Sequence, residues 1–209
     1  IPPSMDYGFN DLKDPNAYNP ERSKQLLAED GWKDTDGDGI LDKDGKPLTF
    51  NFVVYNSRAE LPLYAEAVQA DLKKVGIDMK IKTVDYNLID KMGQEGDYDM
   101  LISNIVTANT GDPIWFLANY WHTNNNGSNP QNGSGYSNPQ VDQLLDAAET
   151  EFDPAKRRDY AIQIQQLLMN DGAALFLGYP KTNIVTGSYL KGAVMYPSDY
   201  YWITNKITK

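Results

Sequence analysis

Residues 48–83 read LTFNFVVYNSRAELPLYAEAVQADLKKVGIDMKIKT and predict a strand, a helix and a second strand. Apolar side chains alternate over residues 48–54 and again over 77–83, which is the period of a half-buried strand. Between them, residues 60–75 follow a helical period, and Gly76 ends the helix. A crossover of this length predicts two parallel strands in one sheet.

The flanking sequence predicts further helices and strands of the same kind. The expected helices begin at Asn19-Pro20-Glu21 and run over 86–94 and 113–120, with two more opened by Asn138-Pro139 and Asp153-Pro154. A third strand is expected over 98–105, with further candidates at 173–177 and 182–185. The whole pattern predicts one α/β domain with a mixed, mostly parallel sheet flanked by helices.

The composition excludes several classes of protein. The chain has 209 residues, a formal net charge of −10, one His and no Cys. The lack of Cys excludes disulfides and thiolate sites, and one His is too few for multi-His metal chemistry. The acidic balance argues against binding to nucleic-acid phosphates. Its apolar runs are shorter than the about 20 residues of a transmembrane helix, so we expect membrane attachment only through an anchor outside this chain.

An ordered series of short motifs runs along nearly the whole chain. The motifs are Asn19-Pro20-Glu21, Leu26-Leu27-Ala28-Glu29-Asp30-Gly31-Trp32, Val68-Gln69-Ala70-Asp71-Leu72-Lys73-Lys74-Val75-Gly76-Ile77, Gly96-Asp97-Tyr98-Asp99-Met100, Gly111-Asp112-Pro113, Tyr136-Ser137-Asn138-Pro139 and Val141-Asp142-Gln143-Leu144-Leu145. In this order they resemble the C-terminal lobe of family 5 extracellular solute-binding proteins, the dipeptide, oligopeptide and nickel binders of ABC importers. The resemblance implies one lobe of a type II clam-shell fold of the periplasmic-binding-protein kind.

The resemblance also implies how the chain works in a longer protein. Residues 1–209 would form a single C-terminal lobe, an excised fragment with hinge-proximal segments near 1–10 and 178–188 and a tail over 189–209. Its expected partners are the missing N-terminal lobe, an ABC permease, and a small peptide or metal chelate held between the lobes. The expected location is extracytoplasmic, in the periplasm or lipid-anchored on the outer face of the cell membrane. We expect binding and transport, and no enzymatic activity.

Arg58 is the first candidate ligand-binding residue, because it directly follows the first predicted strand. Ligands of open α/β sheets bind outside the carboxyl ends of the strands. A guanidinium there can hold a carboxylate through two hydrogen bonds. In the dipeptide binders that this chain resembles, an Arg in the matching place, with a Pro four residues later as Pro62 is here, holds the C-terminal carboxylate of the peptide. The alternative is a solvated loop arginine.

Four more residues complete the candidate ligand site: Asn109, Tyr120, Trp121 and His122. Asn109 is nearest to the place where peptide binders of this family carry an acid for the ligand's ammonium, although an amide supplies no charge. Tyr120 and Trp121 offer aromatic surface with polar tips. His122 loosely fits the loop histidine of nickel binders, so a nickel- or metal-chelate-binding protein is the alternative function. An ordinary surface histidine is the alternative for His122 itself.

The loop over residues 34–45 repeats the first part of a calcium-binding EF-hand loop. Its candidate ligands are Asp34, Asp36, Asp38 and Asp42, with Asp44 as a further carboxylate, but its twelfth position is Gly45 where a bidentate Glu is usual. We therefore expect at most weak, structural Ca²⁺ and no other cofactor. The alternative is a turn held by bonds between side chains and backbone. A calcium-dependent interaction module is the matching alternative function.

An enzymatic alternative rests on Asp97 and Asp99. Paired carboxylates can act as general acid and base. These two acids flank Tyr98 at the start of a predicted strand, where edge charges are common, and a single lobe offers no deep pocket. The sequence therefore favours a binding protein over a hydrolase.

Overall fold

The computed structural model describes residues 1–107, 111–181, 183–195 and 203–209. They form two compact units. The sheet unit comprises the described residues of Pro15–Ile105 and Pro130–Gly135, and the helical unit those of Ile1–Asp14, Val106–Asn129 and Tyr136–Lys209. The prediction that residues 1–209 form a single lobe stays a prediction.

The sheet unit contains the predicted strand–helix–strand. In chain order its elements are α1 (Pro20–Glu29), β1 (Asp42–Lys43), β2 (Lys46–Pro47), β3 (Thr49–Tyr55), α2 (Glu60–Lys73), β4 (Asp78–Val84), a 3₁₀ helix (Tyr86–Leu88), α3 (Ile89–Glu95) and β5 (Met100–Leu101). The short strands β1 and β2 pair antiparallel, and the parallel sheet has the order β4-β3-β5. Strand β3 pairs with β4 along its whole length and is buried from Phe52 to Tyr55.

Three helices form the helical unit. They are α4 (Ile114–Trp121), α5 (Pro139–Thr150) and α6 (Pro154–Asn170). The predicted starts of α5 and α6 are confirmed, because Asn138 accepts a hydrogen bond from Gln140 N and Asp153 accepts one from Ala155 N, each at 2.9 Å. The buried residues are mainly aliphatic and include Ile114, Leu117, Val141, Leu145, Ile164 and Leu168. Among the described helices, none has the length and apolarity needed to cross a bilayer.

The predicted third strand is much shorter in the structure. The alternating pattern over 98–105 predicts eight residues of strand, whereas β5 contains only Met100 and Leu101. The backbone N–H of Ile102 still donates to Val53 at 3.1 Å, but that of Asn104 donates to the Tyr55 hydroxyl at 3.0 Å. A side chain therefore takes the place of the β3 backbone as hydrogen-bond partner, and the ladder ends there.

The predicted strand over 173–177 is wrong. These residues have no regular secondary structure, although they are apolar, and Leu175 and Phe176 are exposed. A strand needs a neighbouring strand to satisfy its backbone groups, and the described residues provide none for this segment. In the second candidate strand, Thr182 lies outside the described residues, and 183–185 are also irregular.

Candidate ligand-binding site

The carboxyl ends of the parallel strands form the candidate binding site. The chain places β4 on one side of β3 and then returns to place β5 on the other side. This change of direction makes a switch point between β3 and β5, and ligands of open α/β sheets bind in the crevice outside such a point. The residues that follow the three strands, 56–60, 85–88 and 102–105, are termed the carboxyl edge.

Arg58 lies on the carboxyl edge, between the end of β3 and the start of α2. Its side chain is exposed and forms no ion pair with any residue that the structure describes. Its carbonyl accepts a hydrogen bond from Leu61 N at 3.2 Å, at the first turn of α2. The backbone is thus held while the guanidinium remains available for a carboxylate. Its role in ligand binding stays a prediction.

Asn104 connects β5 to the start of α2 on the same edge. Its side-chain amide donates to Glu60 Oε1 at 2.8 Å, and its backbone N–H donates to the Tyr55 hydroxyl. Tyr55 is 1% exposed, and its ring meets that of Tyr86 edge-on, with 5.1 Å between ring centroids. Side chains thereby join the ends of all three strands, which makes the carboxyl edge a defined surface.

Sequence reasoning did not single out Glu60, Tyr86 or Asn104 as site residues. Each stands just beyond a strand or at the first residue of a helix. The sequence could have indicated these positions, because strand ends and helix starts can be predicted from it. For Asn104 this position is concealed, because the predicted strand over 98–105 contains it. Tyr86 is 57% exposed and offers the carboxyl edge an aromatic surface.

Tyr120, Trp121 and His122 lie at the end of α4 in the helical unit. The ring of Tyr120 packs against Phe116 at 5.3 Å between centroids. Trp121 is 8% exposed and meets Tyr136 edge-on at 5.9 Å, and its buried indole N–H has no hydrogen-bond partner among the described residues. Trp121 therefore mainly packs within this unit, and its indole N–H is unsatisfied among the described residues.

His122 lies beside two carboxylates of α5. Its Nε2 is 3.4 Å from Asp146 Oδ1, and its Nδ1 is 3.7 Å from Asp142 Oδ1. Partial burial lowers the pKa of His122, but a hydrogen bond to the Thr123 carbonyl and the two carboxylates outweigh burial and raise the pKa above its usual value. Protonation therefore strengthens the contact between the end of α4 and α5.

The structure leaves the combined site as a prediction. Asn109 lies outside the described residues. Arg58 belongs to the sheet unit, and the residues from Tyr120 to His122 belong to the helical unit. The neighbouring Asp112 accepts a hydrogen bond from Ile114 N, the first residue of α4, through its Oδ1 at 2.9 Å.

Three of the four carboxylates of the predicted calcium loop converge. One oxygen each of Asp34, Asp36 and Asp42 lie within 4.8 Å of one another, whereas Asp38 accepts a hydrogen bond from Ile40 N. The carboxylate of Asp34 also accepts the backbone N–H groups of residues 37 and 39. The same oxygens that suit a hard cation thus hold the turn by themselves. Structural Ca²⁺ stays a prediction, which a thermal melt in calcium and in EDTA tests.

Asp97 and Asp99 precede β5 along the chain. Asp99 Oδ2 accepts the backbone N–H of Asn51 at 2.7 Å, and Asp97 Oδ2 is 3.7 Å from Lys82 Nζ. Both carboxylates have partners within the sheet unit, a backbone N–H of β3 for Asp99 and the ammonium of Lys82 in β4 for Asp97. This arrangement supports a structural role for the pair.

Comparison with known proteins identifies the family. Residues 1–128 match the family described as bacterial extracellular solute-binding proteins, family 5, middle region. The chain belongs to this family. The oligopeptide-binding protein AppA of Bacillus subtilis is 31% identical over 187 residues, which are 86% of this family 5 chain and 33% of AppA. The chain thus spans about a third of the length of this curated relative.

Solved structures of family 5 proteins share the α/β fold that the sequence predicts. AppA of Bacillus subtilis in complex with a nonapeptide matches with a TM-score of 0.77 and 28% identity, over 99% of this chain and 40% of that one. NikA of Brucella suis in complex with Fe(III)-EDTA matches with a TM-score of 0.68 and 26% identity, over 83% of this chain and 34% of that one. The predicted fold class is confirmed.

Proposed function

We propose that this family 5 chain belongs to an extracytoplasmic substrate-binding protein that captures peptides and delivers them to an ABC permease. The observation that carries the proposal is the guanidinium of Arg58, which lies beside the switch point of the sheet and forms no ion pair with any described residue. Further support comes from AppA, whose solved structure holds a nonapeptide. The protein would reside in the periplasm or be lipid-anchored outside the cell membrane, and it would bind its ligand without chemical turnover.

Arg58 would hold the carboxylate end of the peptide. A guanidinium and a carboxylate form two parallel, charge-assisted hydrogen bonds, which fix direction as well as position. Tyr86 would offer apolar surface beside them. The part of the protein beyond this chain would cover the ligand, and the binding free energy would shift the protein from an open to a closed form that the permease accepts.

A metal-chelate function is the second candidate. The structure of NikA with Fe(III)-EDTA involves a carboxylate-rich chelate, and an arginine is suited to hold such an anion. His122, whose side chain is 33% exposed, is the only imidazole that the sequence offers to a metal. Nickel–histidine therefore belongs in any ligand screen of this protein.

Calorimetry on the full-length protein tests the proposed function. The ligands are di- to pentapeptides, the same peptides with amidated C-termini, and nickel–histidine. We expect free-acid peptides to bind at least about tenfold more tightly than amidated ones, a difference of about 1.4 kcal/mol. Arg58→Ala should abolish this preference, and Arg58→Lys should keep part of it because Lys retains the charge without the fork.

Two results would count against the proposal. Unchanged affinity of Arg58→Ala for free-acid peptides would remove Arg58 from the site. Binding of nickel–histidine without binding of any peptide would favour the metal-chelate function.

A further inference from the structure

Glu60 carries a half-buried carboxylate on the carboxyl edge. Its Oε1 accepts a hydrogen bond from the Asn104 amide at 2.8 Å. No Lys, Arg or His of the described part of the chain lies within 4.0 Å of this carboxylate. A partly buried charge without a counter-ion is unfavourable, and here only a neutral amide and the amino end of α2 offset it. Its charge is therefore available to an incoming cation.

Glu60 lies close in sequence to Arg58, the other charged residue of the carboxyl edge. It is the first residue of α2 and follows Arg58 by two positions, beside the switch point. The two side chains have opposite charges, yet they form no ion pair with each other. A ligand that brings both a carboxylate and a cationic group would neutralise both charges at once.

The surroundings of Glu60 hold the carboxylate in place. Asn104 donates to it from its side chain while its own backbone N–H is bound to the hydroxyl of the buried Tyr55. A neutral donor orients a carboxylate and leaves its charge intact, whereas a lysine or arginine would cancel it. Such preorganisation lowers the entropic cost of binding.

We propose that Glu60, positioned by Asn104, binds a primary ammonium group of the ligand. Two parts of a peptide carry this group: its N-terminus and a lysine side chain. The proposal rests on the proposed function, because it places a second ligand contact on the same edge. It makes Glu60 a specificity-determining residue and Asn104 its positioning residue.

The test is calorimetry of the full-length protein with Glu60→Gln, which keeps the acceptor for Asn104 and removes the charge. The probes are trialanine, N-acetyl-trialanine, and N-acetylated Ala-Lys-Ala. Glu66→Gln, an exposed acid on the same helix, is the matched control. We expect Glu60→Gln to weaken binding of an amine-bearing probe at least tenfold, without changing the affinity for N-acetyl-trialanine. A loss confined to trialanine identifies the N-terminus as the bound group, and a loss confined to the lysine probe identifies the side chain.

Several outcomes would overturn the inference. Equal losses for all three probes would give Glu60 a purely structural role, and no loss for any probe would remove it from the site. If Glu60→Gln lowers the melting temperature, Glu60→Asp, which keeps the charge, must retain the preference for amines. A wild-type protein that binds N-acetyl-trialanine as tightly as both amine probes refutes the ammonium contact while the proposed function stands. A wild-type protein that binds no peptide refutes both.

Discussion

The chemistry of the carboxyl edge depends on a few side chains whose surroundings differ. Arg58 is exposed and held only through its backbone, whereas Glu60 is half-buried and held by Asn104. Beneath them, Tyr55 is fully buried, and its hydroxyl accepts the backbone N–H that β3 would otherwise have to satisfy. One buried phenol thus ends the ladder of β5, and the residues beyond it are not part of the sheet.

The Tyr55 hydroxyl is expected to contribute to stability. Tyr55→Phe keeps the ring contact with Tyr86 but leaves the partly buried Asn104 N–H without its acceptor, which costs about 1 kcal/mol. Urea unfolding of the full-length protein measures this difference. Tyr86→Phe is the matched control, because that side chain is exposed and should change the free energy of unfolding by less than about 0.5 kcal/mol. Equal stability of both variants would contradict the account of β5.

His122 predicts a pH dependence of stability. Because its pKa is raised in the folded protein, its contribution is fully present below the unfolded-state pKa of about 6.5 and is lost as the pH rises through the folded pKa. The stability advantage of wild type over His122→Gln should therefore be larger at about pH 5.5 than at about pH 8.5. Asp146→Asn should reduce this difference, because it removes one of the two facing carboxylates. A difference that does not vary with pH would rule out the ion pairs.

At the scale of elements, the first residues of the chain pack closely on α6. Gly8 has φ +81°, and a Cβ placed there would overlap the side chain of Ile162. The backbone of Lys13 exchanges two hydrogen bonds with the Gln166 amide, at 2.9 and 2.8 Å. These contacts hold Gly8 and Lys13 against two successive turns of α6.

Gly8→Ala should destabilise the helical unit more than Gly172→Ala. Both glycines have positive φ, so each substitution costs about 1 kcal/mol of backbone strain, but Gly172 has open space where a Cβ would stand. Gly8→Ala must also displace Ile162, which costs about 1–3 kcal/mol more. The midpoint of urea unfolding of the full-length protein measures both. Equal effects would mean that the contact between Gly8 and Ile162 is loose.

Local sequence predicts the helices better than the strands. Asn19, Asn138 and Asp153 cap helices where expected, because a cap depends on residues two or three positions away. A strand depends on its partner, so β5 ends where Tyr55 interferes, and residues 173–177 find no partner in the described chain. The position of Arg58 on the carboxyl edge follows from local sequence, because Arg58 stands just after an apolar strand. The candidate role of Glu60 follows instead from a contact with Asn104, which is distant in sequence.

At the scale of the whole molecule, a parallel sheet with a switch point presents Arg58 and Glu60, two opposite charges without an ion-pair partner among the described residues, at one edge. The chain belongs to family 5, and similar proteins have been solved with a peptide and with a metal chelate. The chain spans about a third of the length of AppA. The proposed function requires that the carboxyl edge binds the ligand.

Hydrogen exchange measured by mass spectrometry on the full-length protein, with and without a bound peptide, tests whether the carboxyl edge binds the ligand. We predict slower exchange in peptides that cover residues 56–60, 85–88 and 102–105, and unchanged exchange in the acidic loop over 34–42. Protection confined to the loop, or to segments outside the carboxyl edge, would contradict the account.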